Sequence, residues 1–276
     1  MKEWLKKILK ALHLYHPVQL WYRQQLFELK KKYLRFTYRK FKGDHFTCNV
    51  CRNSYKRFAP DYPSRENRNA IAQHGVVAGY GENIVCPNCL SVARDRLVLA
   101  MIEAIDLHLK KVLHISPEKN IFRFLRSKTE VVTADLEPLF YLNIDEQIAK
   151  TDLTRLPYPD NYFDIVIANH VLEHIPDDRK AMKEIFRVLK SPGTAILQVP
   201  FSPTLSSTLE APAMADPRKQ AFLFGQRDHV RIYALKDYII RLRQTGFTVE
   251  YITDESLISL HRYAIQRGEG FFRITK

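Results

Sequence analysis

The chain has 276 residues and no apolar run approaching the ~18 that a spanning helix needs, so an ordinary transmembrane helix is excluded from the reading. Its N-terminus lacks the apolar core of a secretory signal, because lysines interrupt every apolar patch there. Cysteine is scarce: Cys48, Cys51, Cys86 and Cys89 are the only four. Two internal CxxC pairs without an export signal fit a reducing cytoplasm. Acidic residues are nearly missing from the first 42 positions, where twelve Lys/Arg stand against two Glu. That segment supplies +10 of the net charge of +13, and the rest of the chain is close to balanced at +3. The basic character therefore belongs to an appendage, whose expected partners are polyanions: anionic membrane, nucleic acid or an acidic glycan. With 46% apolar and 26% charged residues, the remainder is long enough for one good-sized core and an accessory region.

In the appendage, Leu5, Ile8, Leu9 and Leu12 fall on one helical face, flanked by Lys2, Lys6 and Lys10, and Pro17 breaks this helix. A second helical pattern follows through Val18, Tyr22, Leu26, Leu29, Tyr33 and Phe36. Its tail, KKKYLRFTYRKFK, alternates basic and aromatic residues. Three readings are open. One is an interfacial segment lying on anionic lipid. Another is a nucleic-acid arm, with rings for stacking and cations for phosphate. The third is a helix packed on its own domain, with its lysines merely solvated.

Residues 43–95 hold Cys48-Asn49-Val50-Cys51 and Cys86-Pro87-Asn88-Cys89. A two-residue spacing lets a tight turn aim two thiolates at one tetrahedral ion, so the two pairs predict a structural zinc with four thiolate ligands and no open position. The 34 residues between the pairs exceed the usual ribbon gap, and a hairpin insertion would account for them. His45 and His74 are nearby possible substitutes. Redox thiols are the alternative, but no strand–helix pattern precedes either pair. A helical linker is predicted over 97–109, and Arg94 and Arg96, between the cysteine module and the sheet region, would bridge the two or contact substrate, bridging being favoured.

From 110 onward the pattern is α/β. Strands are predicted at 110–116, 130–134 (ending at Asp135), 148–153, 163–168 and 194–199. Helices are predicted at 118–126, from Asp177 and Asp178 to a stop at Pro192-Gly193, and at 235–244 before Gly246. The last two strands are predicted at 247–253 and 270–275. FDIVIA at 163–168 is a near-continuous apolar run, as expected of a strand buried on both faces of a parallel sheet. Ala181, Ile185, Val188 and Leu189 recur at helical spacing, widened by Met182 and Phe186. Strand–helix–strand units of this length are right-handed crossovers, and ligands in such sheets bind beyond the carboxyl ends of the strands. Asp152-Leu153 and Asn169-His170 therefore stand at the working edge.

The string DLTRLPYPDNYFD…NHVLEHIPDDRKAMKEIFRVLKSPG, with the strand order just given, closely resembles the class I S-adenosylmethionine-dependent methyltransferases, in the branch often called type 11. The fold this implies is Rossmann-like α/β, with a seven-stranded sheet whose final strand is antiparallel. A basic arm (1–42) and a zinc-binding module (43–95) would precede the methyltransferase domain (96–276). The resemblance implies S-adenosylmethionine as donor. Asp135 would accept the ribose diol, Asp152 the adenine amino group, and Leu153 and Leu156 would wall the ring. The family's acidic residue and glycines after the first strand are replaced here by His114, Ser116, Pro117 and Glu118. Glycine permits positive φ and close approach to a ligand. HISPEK is similar instead to a small bacterial subgroup that combines paired CxxC motifs with this domain, with Ser116 and Glu118 holding the donor and Asn169 beside them.

If a hydroxyl is methylated, a general base is useful, and His170, His174 and His229 are the candidates. Glu173 could orient a histidine or the donor. Residues 201–233 are long for a connection and would form a lid, with Phe222, Phe224, Arg227 and Arg231 suiting a sugar, an anionic substrate or a base. The expected activity is O-methylation of a glycan or small metabolite near the membrane surface, by a cytoplasmic protein peripheral at the inner membrane face. RNA methylation is the alternative, weakened by NHVLE standing where an N/DPPY-type motif would serve a base amine. A methyltransferase fold without turnover is the third reading.

Overall fold

The computed structural model describes residues 15–276. The expected helix through Leu5, Ile8, Leu9 and Leu12 lies outside the described residues. Helix α1 (Tyr15–Thr37) holds Pro17 near the beginning of its described span. The apolar stripe expected on it points outward: Val18, Tyr22, Leu26, Leu29, Tyr33 and Phe36 are all exposed, and Tyr15 and Leu34 are the buried residues.

The cysteine region comprises β1 (Lys42–Thr47), β2 (Ser54–Tyr55), β3 (Ala59–Asp61), α2 (Arg68–Gln73) and β4 (Gly81–Val85). β1 pairs with β2 and β3 with β4, both antiparallel. The long gap between the CxxC pairs is thus the β3–β4 hairpin carrying α2, consistent with the hairpin reading. Helix α3 (Ala93–Ile102) leads into the sheet.

The sheet elements follow as β5 (Lys111–Ile115), α4 (Lys119–Arg126), β6 (Glu130–Asp135), β7 (Ala149–Lys150), β8 (Phe163–Ile167), α5 (Asp178–Val188) and β9 (Leu189–Ile196). The segment expected to be a lid holds β10 (Phe201–Ser202), β11 (Leu209–Glu210), α6 (Pro217–Phe224) and β12 (Arg231–Ala234). The chain closes with α7 (Leu235–Thr245), β13 (Thr248–Ile252) and β14 (Phe271–Thr275). The seven-stranded sheet runs β13-β14-β9-β8-β5-β6-β7. β14 is antiparallel to both its neighbours and the others pair in parallel, as the resemblance implied.

Strand alternation builds two cores. Leu113, Ile115 and Val166 face the layer of α5 and α7, whereas Val112, Ile165 and Ile167 face Leu97, Val98, Ile121 and Leu125 of α3 and α4. In α5, Asp177 caps the N-terminus by accepting the Lys180 N–H at 3.0 Å, and Ala181, Met182, Ile185 and Val188 are fully buried. Truncating Ile185 to Ala would remove about 2–5 kcal/mol. The helix stops earlier than the Pro192-Gly193 signal predicts. Leu189 is already extended and opposite Phe163, so Pro192 and Gly193 lie inside β9. Gly246, at φ +115°, ends α7 as expected, and a Cβ there would come within 2.9 Å of the Phe186 ring.

The segment over 201–233 is a folded subunit rather than an open loop. β10, β12 and β11 form a three-stranded sheet, and α6 packs on α2 of the cysteine region. Buried Arg231 donates to the carbonyls of Leu172, Ile175 and Pro176, tying that sheet to the turn that follows β8.

Candidate functional site

The parallel strands bring their carboxyl ends to one edge, and a cavity of about 1080 Å³ opens there. Ser116, Asp135, Asp152, Leu153, His170 and His174 all line it. Each arrives for a local reason. Ser116 follows β5 with φ +49°, the left-handed conformation that glycine usually supplies, and its hydroxyl donates to Asp135 Oδ2 at 2.5 Å. The backbone can therefore turn sharply here without the family's glycines. Asp135 ends β6, and its Oδ1 accepts the Glu137 N–H at 2.7 Å. Asp152 stands just past β7, where its Oδ1 accepts the N–H and hydroxyl of Thr154, both at 2.8 Å. Both aspartates are turn-forming residues whose carboxylates keep lone pairs for a ligand. Leu136, Phe140, Tyr141 and Ile144 add apolar wall. Burial, with the Asp135 charge added, pushes the Tyr141 hydroxyl up to about 12, so it stays a neutral donor. Leu20 and Arg23 of α1 complete the rim.

Glu118 and Asn169 stand behind this lining. Glu118 Oε2 meets His114 Nε2 at 2.8 Å, and Oε1 accepts from Asn169 Nδ2 at 2.7 Å. Burial raises the Glu118 carboxyl, but the bond and charge of His114 outweigh it and hold the group below the usual carboxylate range. Asn169 Oδ1 and His114 Nδ1 are buried without hydrogen-bond partners. The trio braces the turns after β5 and β8 against each other.

The histidines gather around one carboxylate. Glu173 is 1% exposed, and its Oε1 lies 3.5 Å from His170 Nδ1, 4.0 Å from His174 Nε2 and 3.9 Å from His229 Nε2. His229 comes from the segment before β12, and its ring meets that of His174 edge-on at 4.7 Å. Burial alone would raise the Glu173 carboxyl; the His170 contact at 3.5 Å, followed by the charges that His174, His170 and His229 carry once protonated at low pH, outweighs it and holds the group down at about 2. Burial pushes His229 down to about 4 and His170 below its ordinary value, so these two imidazoles are neutral near pH 7.

The four cysteines form a separate cluster. Two like turns build it: the Arg52 and Leu90 N–H groups bond back to the Cys48 and Cys86 carbonyls at 2.8 and 2.9 Å, and both residues have positive φ. Cys48 Sγ lies 3.7 Å from Cys89 Sγ, and Cys51 Sγ 3.7 Å from Cys86 Sγ. Tetrahedral zinc with bonds of about 2.3 Å sets sulfurs ~3.8 Å apart, so the residues present fit that ion. Neither His45 nor His74 belongs to the cluster. Arg96, fully buried, donates to the carbonyls of Ser91 and Ile84 on the cysteine side and of Tyr263 and Ala264 on the other.

Sequence reasoning passed over Tyr141, Phe140, Asp228 and the central place of Glu173. HVLEH does set two histidines and a glutamate within one turn, but nothing local announces that His229, 55 residues after His174, closes on them.

Residues 100–197 match the family model described as a methyltransferase domain. Among curated relatives, the ubiquinone/menaquinone biosynthesis C-methyltransferase UbiE of Serratia proteamaculans is 44% identical over 54 residues, which are 20% of this chain and 21% of that protein. The UbiE of Vibrio cholerae is 47% identical over 47 residues, 17% of this chain and 18% of its own length. The chain thus spans about a fifth of the curated relatives it matches. A solved S-adenosylmethionine-dependent methyltransferase from Mesorhizobium loti aligns at 15% identity over 66% of this chain and 96% of that one, with a TM-score of 0.46. Among the described residues, no helix is long and apolar enough to cross a membrane.

Proposed function

We propose that the chain is an S-adenosylmethionine-dependent methyltransferase acting on an oxygen of a glycan or small metabolite. The observation that carries this reading is the pairing of Asp135 and Asp152 at neighbouring strand ends over one cavity of about 1080 Å³. When bound, the donor supplies an electrophilic methyl group on a sulfonium. Asp135, held by Ser116 and the Glu137 N–H, would accept the ribose hydroxyls. Asp152 would accept the adenine amino group, with Leu153 against the ring; Leu156, expected beside it, is buried in the core and does not line the cavity, where Leu136 stands instead. His170 and His174 line the same cavity from the acceptor side, where a neutral imidazole can take the proton of a hydroxyl. Holding donor and acceptor together in a space closed by α1 and the 201–233 segment supplies the remaining acceleration.

Two further assignments belong to this reading. The cysteine cluster holds a structural zinc, supported by the sulfur spacing and by the two matching turns. The exposed stripe of α1, next to Lys30, Lys31, Lys32 and Arg35, rests on an anionic membrane at its cytoplasmic face, with the cavity rim alongside. Nucleic acid is the second candidate for that surface.

Calorimetric titration with S-adenosylmethionine and S-adenosylhomocysteine tests the donor site. Micromolar binding is expected, weakened at least about tenfold in Asp135→Ala and in Asp152→Ala, since each loses charge-assisted bonds worth about 1.5–3 kcal/mol. Folded protein that binds neither compound would leave a methyltransferase fold without turnover.

A further inference from the structure

We propose that Glu173, His174 and His229, with His170 beside them, form a site for a divalent first-row transition-metal cation at the acceptor end of the cavity. One ligand atom from each of Glu173, His174 and His229 can be chosen so that all three lie within 4.8 Å of one another. Ligands bonded at about 2.0–2.2 Å stand roughly 3–3.5 Å apart. The observed 3.9 and 4.0 Å from the two Nε2 atoms to Glu173 Oε1 close to that range with shifts of about half an ångström.

The carboxylate itself points to a missing partner. Glu173 is 1% exposed, and neither of its oxygens has a hydrogen-bond partner. A buried carboxylate without a bonded cation or donor costs several kcal/mol. The nearest polar atoms are imidazole nitrogens: His170 Nδ1 at 3.5 Å, the outer limit of a hydrogen bond, then the Nε2 atoms of His229 and His174 at 3.9 and 4.0 Å. His174 Nδ1 faces the Asp228 carbonyl at 3.2 Å and its carboxylate at 3.5 Å. In the tautomer whose Nδ1 proton serves that outer contact, the Nε2 lone pair faces a carboxylate oxygen. Two electron-rich atoms facing each other in a buried space are reconciled by a cation between them. A carboxylate or carbonyl on the far side of a ligating histidine is the usual way such a ring is held. His170 Nε2 is likewise buried without a partner, and His170 is held at φ +54°, a strained conformation for a non-glycine residue.

The donor set chooses the ion class. Imidazole nitrogens with one carboxylate suit Zn²⁺, Fe²⁺, Co²⁺ or Ni²⁺ better than Mg²⁺ or Ca²⁺. The four cysteine sulfurs lie elsewhere and make a closed set, whereas this cluster borders the cavity through His170 and His174. A ligand position facing that space takes an oxygen of the acceptor, a hydroxyl or a carboxylate. This last step rests on the methyl-transfer reading, and the ion site itself does not.

The test titrates Co²⁺ into the 276-residue chain prepared with one zinc per chain, the cysteine equivalent, followed by calorimetry and visible absorption. One Co²⁺ per chain is expected, with ligand-field bands and no sulfur-to-cobalt charge transfer. His229→Ala and His174→Gln should each weaken it on the order of 10- to 100-fold, with unchanged circular dichroism. Should His229→Ala not fold, His174→Gln carries the comparison, because that side chain is 33% exposed. Absence of saturable binding by folded wild-type protein overturns the site, as does equal affinity in a folded variant. S-adenosylmethionine titrated in parallel separates the two readings. Co²⁺ binding without donor binding removes methyl transfer and leaves the ion site, while donor binding without Co²⁺ removes the ion site alone.

Discussion

The cysteine and histidine clusters solve the same problem in opposite ways. The cysteines come from two local turns of identical build, and each turn is complete before it meets the other. Their sulfurs already stand at the spacing of a tetrahedral ion, and Cys48 and Cys86 are fully buried. The histidines come from one turn and one distant segment, around a carboxylate that makes no hydrogen bond. One set brings four sulfurs within ligand spacing of one another. The other borders a large cavity and leaves room for a ligand. Burying charged ligand atoms in a saturated shell stabilises a fold, whereas an unsaturated shell at a cavity is what a reaction can use.

Removing a cysteine sharpens this contrast most. Cys86→Ser should cost on the order of 5 kcal/mol or more if the ion folds its module. That corresponds to roughly 10 °C or more in thermal midpoint at ~2–4 °C per kcal/mol, with zinc content falling to match. His229→Ala should leave the midpoint within a few degrees. Equal losses in both variants would erase the distinction between the clusters. Arg96→Met probes how the closed site is tied to the sheet. Arg96 donates to the carbonyls of Ser91, Ile84, Tyr263 and Ala264 at once. Its loss should cost about 3–5 kcal/mol in chemical denaturation, the range for breaking a buried charged network.

The same contrast explains what could be read in advance. CxxC is a local pattern because a tight turn must hold two thiolates, so both pairs were legible from spacing alone. FDIVI and the α5 stripe were legible because burial on both faces or on one leaves a period in the sequence. The strand-end aspartates were legible through topology, since parallel strands bring Asp135 and Asp152 to one edge. His229 was visible only as one histidine in a long connection. Its neighbours are set by how the β10–β12–β11 sheet docks, which no periodicity encodes. The bracing of Glu118 by His114 and Asn169 was hidden for the same reason, and so was the left-handed Ser116, since only glycine announces that conformation in a sequence.

Glu269 offers a control for Glu173. Both are buried carboxyls, and neither has its full set of hydrogen-bond partners. The charged neighbours of Glu269 are Arg94 and Asp254, and burial pushes it up to about 7, where Glu173 beside its histidines lies at about 2. A carboxyl raised in the folded state binds more protons there than when unfolded, so its cost is absent below about 4.5, grows as pH rises and levels off above about 7. Glu269→Gln should therefore stabilise the chain at pH 8 by up to about 3 kcal/mol, with the gain vanishing at pH 4. The reading is the difference in urea midpoint between variant and wild type. A pH-independent difference would mean that Glu269 is solvated or paired, and the two carboxyls would no longer form a contrast.

The smallest effect on stability is expected where neither cluster reaches. The outward stripe of α1 has Leu29, Tyr33 and Phe36 at 62%, 65% and 64% exposure. Replacing these three with Ser removes almost no contact within the chain, so the thermal midpoint should move by no more than about 0.5 kcal/mol equivalent per site. The helix remains tethered to the second cysteine turn, since Arg35 Nε still donates to the Asn88 carbonyl at 2.9 Å. Sedimentation with vesicles rich in anionic lipid should nevertheless fall by about tenfold or more, because three large side chains contribute about 1.5–3 kcal/mol each when buried in an interface. A large loss of stability instead would show that the stripe packs against the chain itself. Unchanged sedimentation would assign vesicle binding to the lysines alone. Either result would separate the cysteine site, which holds the C-terminal end of α1 through Arg35, from any membrane that α1 approaches.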